Sequence, residues 1–511
     1  MGKSSGINTE RLKGVAISYC VTAVNLLANL LLVPLYLKRF GIDLYGLYQY
    51  IYSIAQYAVI LDFGISSVMT KFIKEFDLRK DEKSKENIAF YSLIIVLIAF
   101  TLILIATVVV GFNMNELLLN DRPVYQQEIA HVLLWFMALQ FGLALAQNYF
   151  DGALLAFEDY FIVKLFAFIR AILKICFVLA LMFLNVGILS IILGDVIATA
   201  ICVSLSGYRA IKVKHLRVKY HYWDRALFLE SMKLSYALML QSIVTFANNY
   251  VDKIVLGKMI NNAAVTMYGL AMTFNGMFCE IPTVIQRLYL PESVRMIENR
   301  ASGDELSEYV GRTGRFQFML CGAIFGGFVL FGREFIALWS GKETLISWNI
   351  AVILMLSSLV SIVQNVCLTI LTALNKRAFR SYMLLIGIVV NIAISIPLVR
   401  KYGVIGAPSG TVVSSILFNW IGMNIYYSKV IHLNIAKMFK IIIPRIGAVL
   451  LATMAICYPL NLLFPIEGYI TFFAKAIVFC IVYAILLYKF GLTKDERDDV
   501  IRLIKRKVRI S

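Results

Sequence analysis

The sequence has little of what zinc proteins, disulfide-rich proteins and ATPases need. It contains four histidines in 511 residues, and none is grouped with cysteines or carboxylates. The eight cysteines show neither a metal-ligand spacing nor a disulfide framework. No G-x-x-x-x-G-K-[ST] phosphate-binding loop occurs. We therefore expect no metal, no cofactor and no direct use of ATP.

Charge is also scarce, because 16% of the residues are charged and 60% are hydrophobic, with a mean hydropathy of +0.79. This composition is typical of a membrane protein. Apolar runs of roughly 20 residues, the length that crosses a bilayer, number about fourteen. They lie near 14–37, 45–68, 88–112, 129–154, 162–184, 187–208, 232–257, 264–287, 316–338, 347–373, 380–399, 403–428, 441–463 and 468–489. Their length predicts helices rather than barrel strands, and no cleavage-site pattern follows the first run, which we expect to be retained.

The net charge of +18 is distributed in a way that indicates membrane topology. Lysine and arginine concentrate in every second connection and in the tail, as in "KFIKEFDLRKDEKSKEN", "RAIKVKHLRVKY" and "RLIKRKVRI". The positive-inside rule then predicts that both termini are cytoplasmic. No nucleic-acid partner is expected.

The two halves of the chain resemble each other. "LYLKRFGIDLYGLYQY" aligns with "IVLGKMINNAAVTMYGLAMT", and Gln147-Asn148 aligns with Gln364-Asn365. Six helices are an even number, so both copies insert in the same orientation as parallel repeats, an architecture typical of alternating-access transporters. The sequence thus predicts an all-α polytopic membrane protein with about 14 transmembrane helices, two six-helix lobes and two additional helices. The expected boundaries are an N-terminal lobe at 1–208, a basic cytoplasmic linker at 209–231, a C-terminal lobe at 232–430, and two helices with a basic tail at 431–511.

Two cations stand inside the fifth predicted span, in "FIRAILKICFVLALMFLN". Arg170 and Lys174 lie about 10 and 16 Å from its cytoplasmic end, at 1.5 Å per residue, and share one helix face. In one interpretation Arg170 reaches the interface and Lys174 pairs with a carboxylate on a neighbouring helix. In the other, both face a hydrated cleft and bind an anionic substrate.

Other polar residues in the spans are candidates for substrate binding or ion coupling. The fourth and tenth spans carry polar residues at helical spacing, which either contact substrate or form interhelical hydrogen bonds. In the seventh, "NNYVDK" places Asn249 and Lys253 on one face, with a local ion pair through Asp252 as the alternative. The stripe candidates for substrate binding are Gln140, Gln147, Asp151 and Gln364, with Ser357 and Ser361 on the same face as Gln364. The coupling candidates are Asp62, Asp195 and Glu280; Asp195 is equally a candidate partner for Lys174.

Several segments resemble one family of membrane proteins. "YLKRFGIDLYGLYQY", "LLAFEDYFIVKLFAFIRAILKICF" and "YGVIGAPSGTVVSSILF" are similar to segments of the polysaccharide-biosynthesis flippases, often called Wzx-type. These belong to the multidrug/oligosaccharidyl-lipid/polysaccharide exporter superfamily, and the similarity covers roughly residues 8–430. The resemblance implies a flippase, not an enzyme, that moves an undecaprenyl-pyrophosphate-linked sugar repeat unit across a bacterial cytoplasmic membrane for O-antigen, capsule or exopolysaccharide synthesis.

The same resemblance implies roles and partners. Arg170 and Lys174 would bind the pyrophosphate, and the polar stripes would meet sugar hydroxyls while the polyprenyl tail stays in membrane lipid. A proton or sodium gradient, or downstream consumption of the sugar, would supply the energy, and a polysaccharide polymerase and other assembly proteins are expected partners. The alternatives are a flippase for a lipid II-type peptidoglycan precursor and a drug/cation antiporter of the same superfamily. A membrane enzyme would need a longer external loop with catalytic residues.

Overall fold

The computed structural model describes residues 3–498, except 121, 375, 377, 465–467 and 495. Helices make up most of these residues, and no β-strand occurs among them. The chain divides into two compact units, Met1–Thr266 and Met267–Ser511. The predicted all-α fold class is confirmed, and the lobe boundary expected at 209–231 stays a prediction.

The first unit begins with a long kinked helix that continues into a broken one. Gly41 interrupts α1 with φ 78°, a conformation that glycine adopts without steric cost. A 3₁₀ segment, Gln56–Asp62, then joins α1 to α2. The α-helices in the described part of this unit are α1 Lys3–Ala55, α2 Ile65–Arg79, α3 Glu82–Leu117, α4 Val124–Ala156, α5 Tyr160–Phe183, α6 Leu189–Tyr208, α7 Arg225–Phe246 and α8 Asp252–Met259.

The second unit repeats this pattern of long helices and short breaks. Its α-helices, with α9 starting at the end of the first unit, are α9 Asn262–Leu288, α10 Leu290–Glu298, α11 Gly303–Ser340, α12 Ile346–Val363, α13 Asn365–Ala373, α14 Ala378–Tyr402, α15 Gly406–Ser414, α16 Met423–Val430, α17 Ile435–Leu463 and α18 Tyr469–Leu486. Helices α17 and α18 pack on α11. Arg315 of α11 is buried and binds Glu496 at 3.0 Å, so residues after α18 also contact this unit.

Ten helical segments in the described ranges are long and apolar enough to cross a membrane. Two of them, Ile17–Arg79 with 63 residues and Phe379–Val430 with 52, are long enough for two crossings each. The more polar α7–α8 pair and α9 lie outside these ten. When the two long segments are counted as two crossings each and the α7–α8 pair and α9 are added, the described part of the chain has about fourteen crossings, as expected.

In each unit, one of the two repeat glutamines donates a hydrogen bond to the helix two crossings later. In the first unit Gln147 Nε2 donates to Ser206 Oγ at 2.9 Å. In the second unit Gln364 Nε2 donates to Asn424 Oδ1 at 2.7 Å. The two glutamines are the residues that the sequence repeat aligned, so the repeat extends from sequence to side-chain contacts.

The basic segment after α6 packs on the start of α3. Asn87 Nδ2 and the Tyr91 hydroxyl both donate to the carbonyl of Tyr222, at 2.7 and 2.6 Å. His221 Nε2 lies 2.7 Å from Glu86. These contacts give the extended chain between α6 and α7 a defined path.

The start of α3 carries a side-chain cap. Asp81 Oδ1 accepts the backbone N–H of Ser84 at 3.1 Å, which satisfies a donor that the helix itself leaves open. Hydrogen bonds from the side chain and backbone of Ser84 hold the pKa of Asp81 below its ordinary value. The carboxylate is therefore ionised at neutral pH and favourably placed at a helix N-terminus.

Candidate functional site

Asp195 on α6 bridges the two cations of α5. Its Oδ1 accepts from Arg170 Nη2 at 3.3 Å, and its Oδ2 accepts from Lys174 Nζ at 2.8 Å. The Asp195 side chain is 14% exposed, whereas those of Arg170 and Lys174 are 36% and 39% exposed. The partner that the sequence allowed for Lys174 is thus present, and the same carboxylate also binds Arg170.

The close packing of α5 and α6 puts these groups within reach of each other. Both Asn185 and Gly187 take positive φ, 58° and 77°, so the chain turns back sharply between the helices. Gly194 then lies against Val178, where a Cβ would come within 2.8 Å of the Val178 backbone nitrogen. Since Gly194 precedes Asp195, the absent side chain lets α6 approach α5 at the level of the ion pairs.

A row of tyrosines lies along α1. Tyr36, Tyr48 and Tyr52 all lie within electrostatic range of Asp195. Neighbouring rings contact one another along α1. The Tyr36 and Tyr45 rings are tilted, with centroids 5.7 Å apart, and the Tyr45–Tyr48 and Tyr48–Tyr52 pairs are stacked at 6.3 and 5.9 Å. Such rings provide apolar faces with polar tips, which suit a boundary between hydrated and apolar surfaces.

A third cation lies at the far end of this tyrosine row. Tyr52 meets Tyr250 edge to face, with centroids 6.2 Å apart, and Lys253 Nζ lies 5.8 Å from the Tyr250 ring centroid. This is within cation–π distance. Among the residues that the structure describes, Lys253 has no carboxylate within ion-pair distance. Asp252 itself is buried, and the alternative of a local ion pair through Asp252 stays a prediction.

A π-helical turn, Ala247–Val251, presents the residues before Lys253. Such turns are rare and frequently occur at functional sites. Asn249 is exposed on this turn. The predicted pair of Asn249 and Lys253 thus stands on an irregular helix segment next to the tyrosine row.

The charges of this site do not cancel. Arg170, Lys174 and Lys253 contribute three cations, whereas Asp195 and Asp151, which lies within electrostatic range of Arg170, contribute two carboxyl groups. An unpaired cation at the bilayer centre costs about 2.5 to 3.5 kcal/mol by insertion scales, so a site with surplus positive charge is suited to hydration or to an anionic ligand. The sequence predicted Arg170, Lys174 and Lys253, whereas the tyrosines were missed, although their spacing at 45, 48 and 52 follows one helix face.

The predicted polar stripe on α4 lies between helices. Gln140 is 6% exposed and donates to Thr199 Oγ1 at 3.0 Å, and Gln147 is 7% exposed. Gln147 also donates to Asp151 Oδ1 at 2.7 Å, and Ser206 Oγ donates to the same oxygen at 3.2 Å. This is the interhelical hydrogen bonding that the sequence left open, and contact of these residues with a sugar stays a prediction.

The remaining predicted residues lie elsewhere. Asp62 accepts from Asn148 Nδ2 at 3.0 Å where the 3₁₀ segment ends. Glu280 is exposed on α9 in the second unit, and Gln364 is 3% exposed there. Ser361 accepts from Asn419 Nδ2 at 3.0 Å, again between helices. The structure thus groups Asp195 with the cations of α5 and leaves Asp62 in a separate contact.

Across the described ranges, no group of three or more histidine, cysteine or acidic side chains has the geometry of a metal site. The fold and its ten candidate membrane-spanning segments in the described ranges define a polytopic, all-α membrane protein with a cationic site. A family model described as "Polysaccharide biosynthesis protein" matches residues 11–285. The chain belongs to this family, as the resemblance indicated.

Comparison with individual proteins agrees in fold. Over 250 residues the chain is 24% identical to "Probable flippase AglR" of Haloferax volcanii, a match covering 47% of this chain and 49% of that protein, so it spans about half the relative's length. The solved structure "Lipid II flippase MurJ, inward closed conformation" superposes with TM-score 0.70 at 18% identity, covering 93% of this chain and 97% of that one. A multidrug resistance MATE family transporter of the MOP superfamily gives 0.59 at 15% identity, covering 78% and 98%. The matched proteins are named as flippases and transporters, in line with the prediction that the chain is not an enzyme.

Proposed function

We propose that this protein is a flippase for a polyprenyl-pyrophosphate-linked oligosaccharide, which it moves from the inner to the outer leaflet of a bacterial cytoplasmic membrane by alternating access. The observation that carries the proposal is the surplus of cations in membrane-spanning helices, with Arg170, Lys174 and Lys253 against the carboxyl groups of Asp195 and Asp151. A pyrophosphate is an anion of the matching sign. Family membership supports a role in polysaccharide synthesis.

Each cation has a distinct role in this proposal. Arg170 offers a planar set of donors that can bind two phosphate oxygens at once, while Lys174 acts as a compact charge. Lys253 and Asn249 bind further along the tyrosine row. The polyprenyl tail stays in the lipid, and Gln140, Gln147, Asp151 and Gln364 are proposed to act on the sugar part, directly or by holding the helices that contact it.

The surroundings of the protein are part of the proposal. Both termini face the cytoplasm, as the distribution of lysine and arginine favours, and a polymerase and other assembly proteins receive the flipped unit. Asp195, Glu280 and Asp62 are the candidate residues for coupling to a proton or sodium gradient.

A flippase for a lipid II-type precursor is the second candidate, because the MurJ structure shares the fold over 93% of this chain. A drug/cation antiporter is disfavoured, since cationic drugs would be repelled by the unpaired charge. Both alternatives enter the experiment as competing substrates.

The test is flipping in reconstituted proteoliposomes. A fluorescent undecaprenyl-pyrophosphate oligosaccharide is reconstituted, and a glycosidase that cannot cross the membrane reports the fraction exposed outside. We expect the wild type to move inner-leaflet substrate to the outside. The double variant Arg170→Ala/Lys174→Ala should do so at no more than roughly one tenth of the wild-type rate.

Lys164→Ala provides the matched control, since Lys164 is an exposed lysine on the same helix. It removes one charge from α5 away from the bridge and is expected to keep the native rate. Equal flipping by the double variant and the wild type would contradict the site. Flipping of lipid II alone would transfer the assignment to the peptidoglycan precursor.

A further inference from the structure

Asp195 binds its two cations in the way that a phosphate would bind them. One carboxylate oxygen accepts from the guanidinium of Arg170 and the other from the ammonium of Lys174. Two oxygens of a phosphate group have the same charge sign and can use the same donors. The carboxylate therefore occupies the position in which an anionic ligand would be held.

The cations keep capacity for a second anion. A guanidinium has five N–H donors and an ammonium has three, and Asp195 accepts one from each. Both cation side chains remain more than one third exposed, whereas Asp195 is 14% exposed. A ligand can thus make its first contact with Arg170 and Lys174 from their exposed side, before it takes over the donors that Asp195 uses.

We infer that Asp195 is a resident counter-ion that the substrate's pyrophosphate displaces, so that it sets both the affinity for the headgroup and its release. This inference rests on the proposed function. The pyrophosphate competes with the carboxylate for Arg170 and Lys174, and the returning carboxylate favours departure of the headgroup after the lipid has been moved.

The displaced carboxylate has other partners at hand. Tyr36, Tyr48 and Tyr52 lie within electrostatic range of Asp195, and a tyrosine hydroxyl can donate a hydrogen bond to an ionised carboxylate. Two cations on α5 and three phenols on α1 thus interact electrostatically with Asp195.

The test variant is Asp195→Asn, which keeps the shape and removes the charge. Binding of undecaprenyl pyrophosphate to purified protein in detergent is compared with binding of uncharged undecaprenol, and flipping is measured in proteoliposomes. We expect Asp195→Asn to bind undecaprenyl pyrophosphate roughly tenfold more tightly, which corresponds to about 1.4 kcal/mol of binding free energy, and to flip the oligosaccharide lipid several-fold more slowly. Undecaprenol binding should not change, and Asp195→Glu should behave like the wild type.

Asp159→Asn is a closely matched control. Asp159 also bridges an arginine and a lysine, Arg209 at 2.8 Å and Lys214 at 2.9 Å, and is equally 14% exposed. We expect this variant to leave headgroup affinity unchanged. An equal gain in both variants would show a general charge effect and overturn the inference.

The outcomes separate the inference from the proposed function. If the wild type binds undecaprenyl pyrophosphate no better than undecaprenol, the proposed cationic site fails. If the wild type discriminates but Asp195→Asn binds equally or more weakly, Asp195 is a structural ion-pair partner and only the displacement model is overturned. A thermal unfolding measurement on each variant identifies weaker binding that results from misfolding.

Discussion

Gly194 lies directly against Val178, and a Cβ on Gly194 would come within 2.5 Å of Val178 Cγ2. This contact sets the separation of α5 and α6 one residue before Asp195. The bridge to Arg170 and Lys174 therefore depends on a residue that has no side chain and contacts neither cation.

Replacing Gly194 with alanine is expected to push the two helices apart. Overpacking at such a site costs about 1 to 3 kcal/mol, and the ion pairs of Asp195 should lengthen. We expect a lower unfolding temperature in detergent and weaker binding of undecaprenyl pyrophosphate. Gly276→Ala is the control, since a Cβ there would meet nothing within 4 Å; a similar loss in both variants would contradict the packing argument.

Lys253 is expected to contribute to headgroup binding although it has no acidic partner in the described structure. Lys253→Met keeps the aliphatic length and removes the charge that faces Tyr250. Affinity for undecaprenyl pyrophosphate should fall roughly tenfold, and Lys253→Arg should retain most of it. Lys258→Met, an exposed lysine on the same helix, should bind normally; unchanged affinity in Lys253→Met would remove this residue from the site.

Replacing the buried glutamines is expected to lower the stability of the protein and to leave headgroup affinity unchanged. Gln147→Met and Gln364→Met each remove an interhelical hydrogen bond, worth about 0.6 kcal/mol on average in membranes. We expect both variants to lower the unfolding temperature slightly and by similar amounts, and to keep the native affinity for undecaprenyl pyrophosphate. Gln241→Met, at an exposed glutamine, is the control and should leave both quantities unchanged. Comparing affinities with and without the oligosaccharide then tests the predicted sugar contact: a loss that appears only with the sugar present would support it.

The connection between α6 and α7 should become accessible to protease when its anchor is removed. Asn87 binds Tyr222 and accepts the backbone N–H of His221 at 3.1 Å, so Asn87→Ala is expected to speed trypsin cleavage near Lys219 several-fold. Asn113→Ala is the control, because Asn113 on the same helix donates to the carbonyl of Val109 within its own helix. Gel analysis of timed digests measures the rate, and equal rates would show that the anchor does not hold the segment.

Much of the fold could be predicted from sequence because a membrane-spanning segment must be long, apolar and internally hydrogen-bonded. These requirements concern residues close together in the chain, so each crossing is visible in the sequence as an apolar run. The repeat was also readable, since Gln147 and Gln364 keep the same residue type in the same hydrophobic setting. The kink at Gly41 and the break at Asp62 were not predicted, because a single glycine or aspartate in a long apolar run does not specify backbone angles.

The sequence by itself determined that the chain is a helical membrane protein and that Arg170 and Lys174 share one helix face, because hydropathy and helical spacing depend on residues close together in the chain. Tertiary structure alone decided that Asp195, rather than Asp62 or Glu280, pairs with these cations. It also brought tyrosines of α1 within electrostatic range of Asp195 and linked Tyr52 to Lys253 through Tyr250. These choices depend on the approach of α5, α6, α1 and α8, which the packing of small residues such as Gly194 sets across distances that no local pattern records.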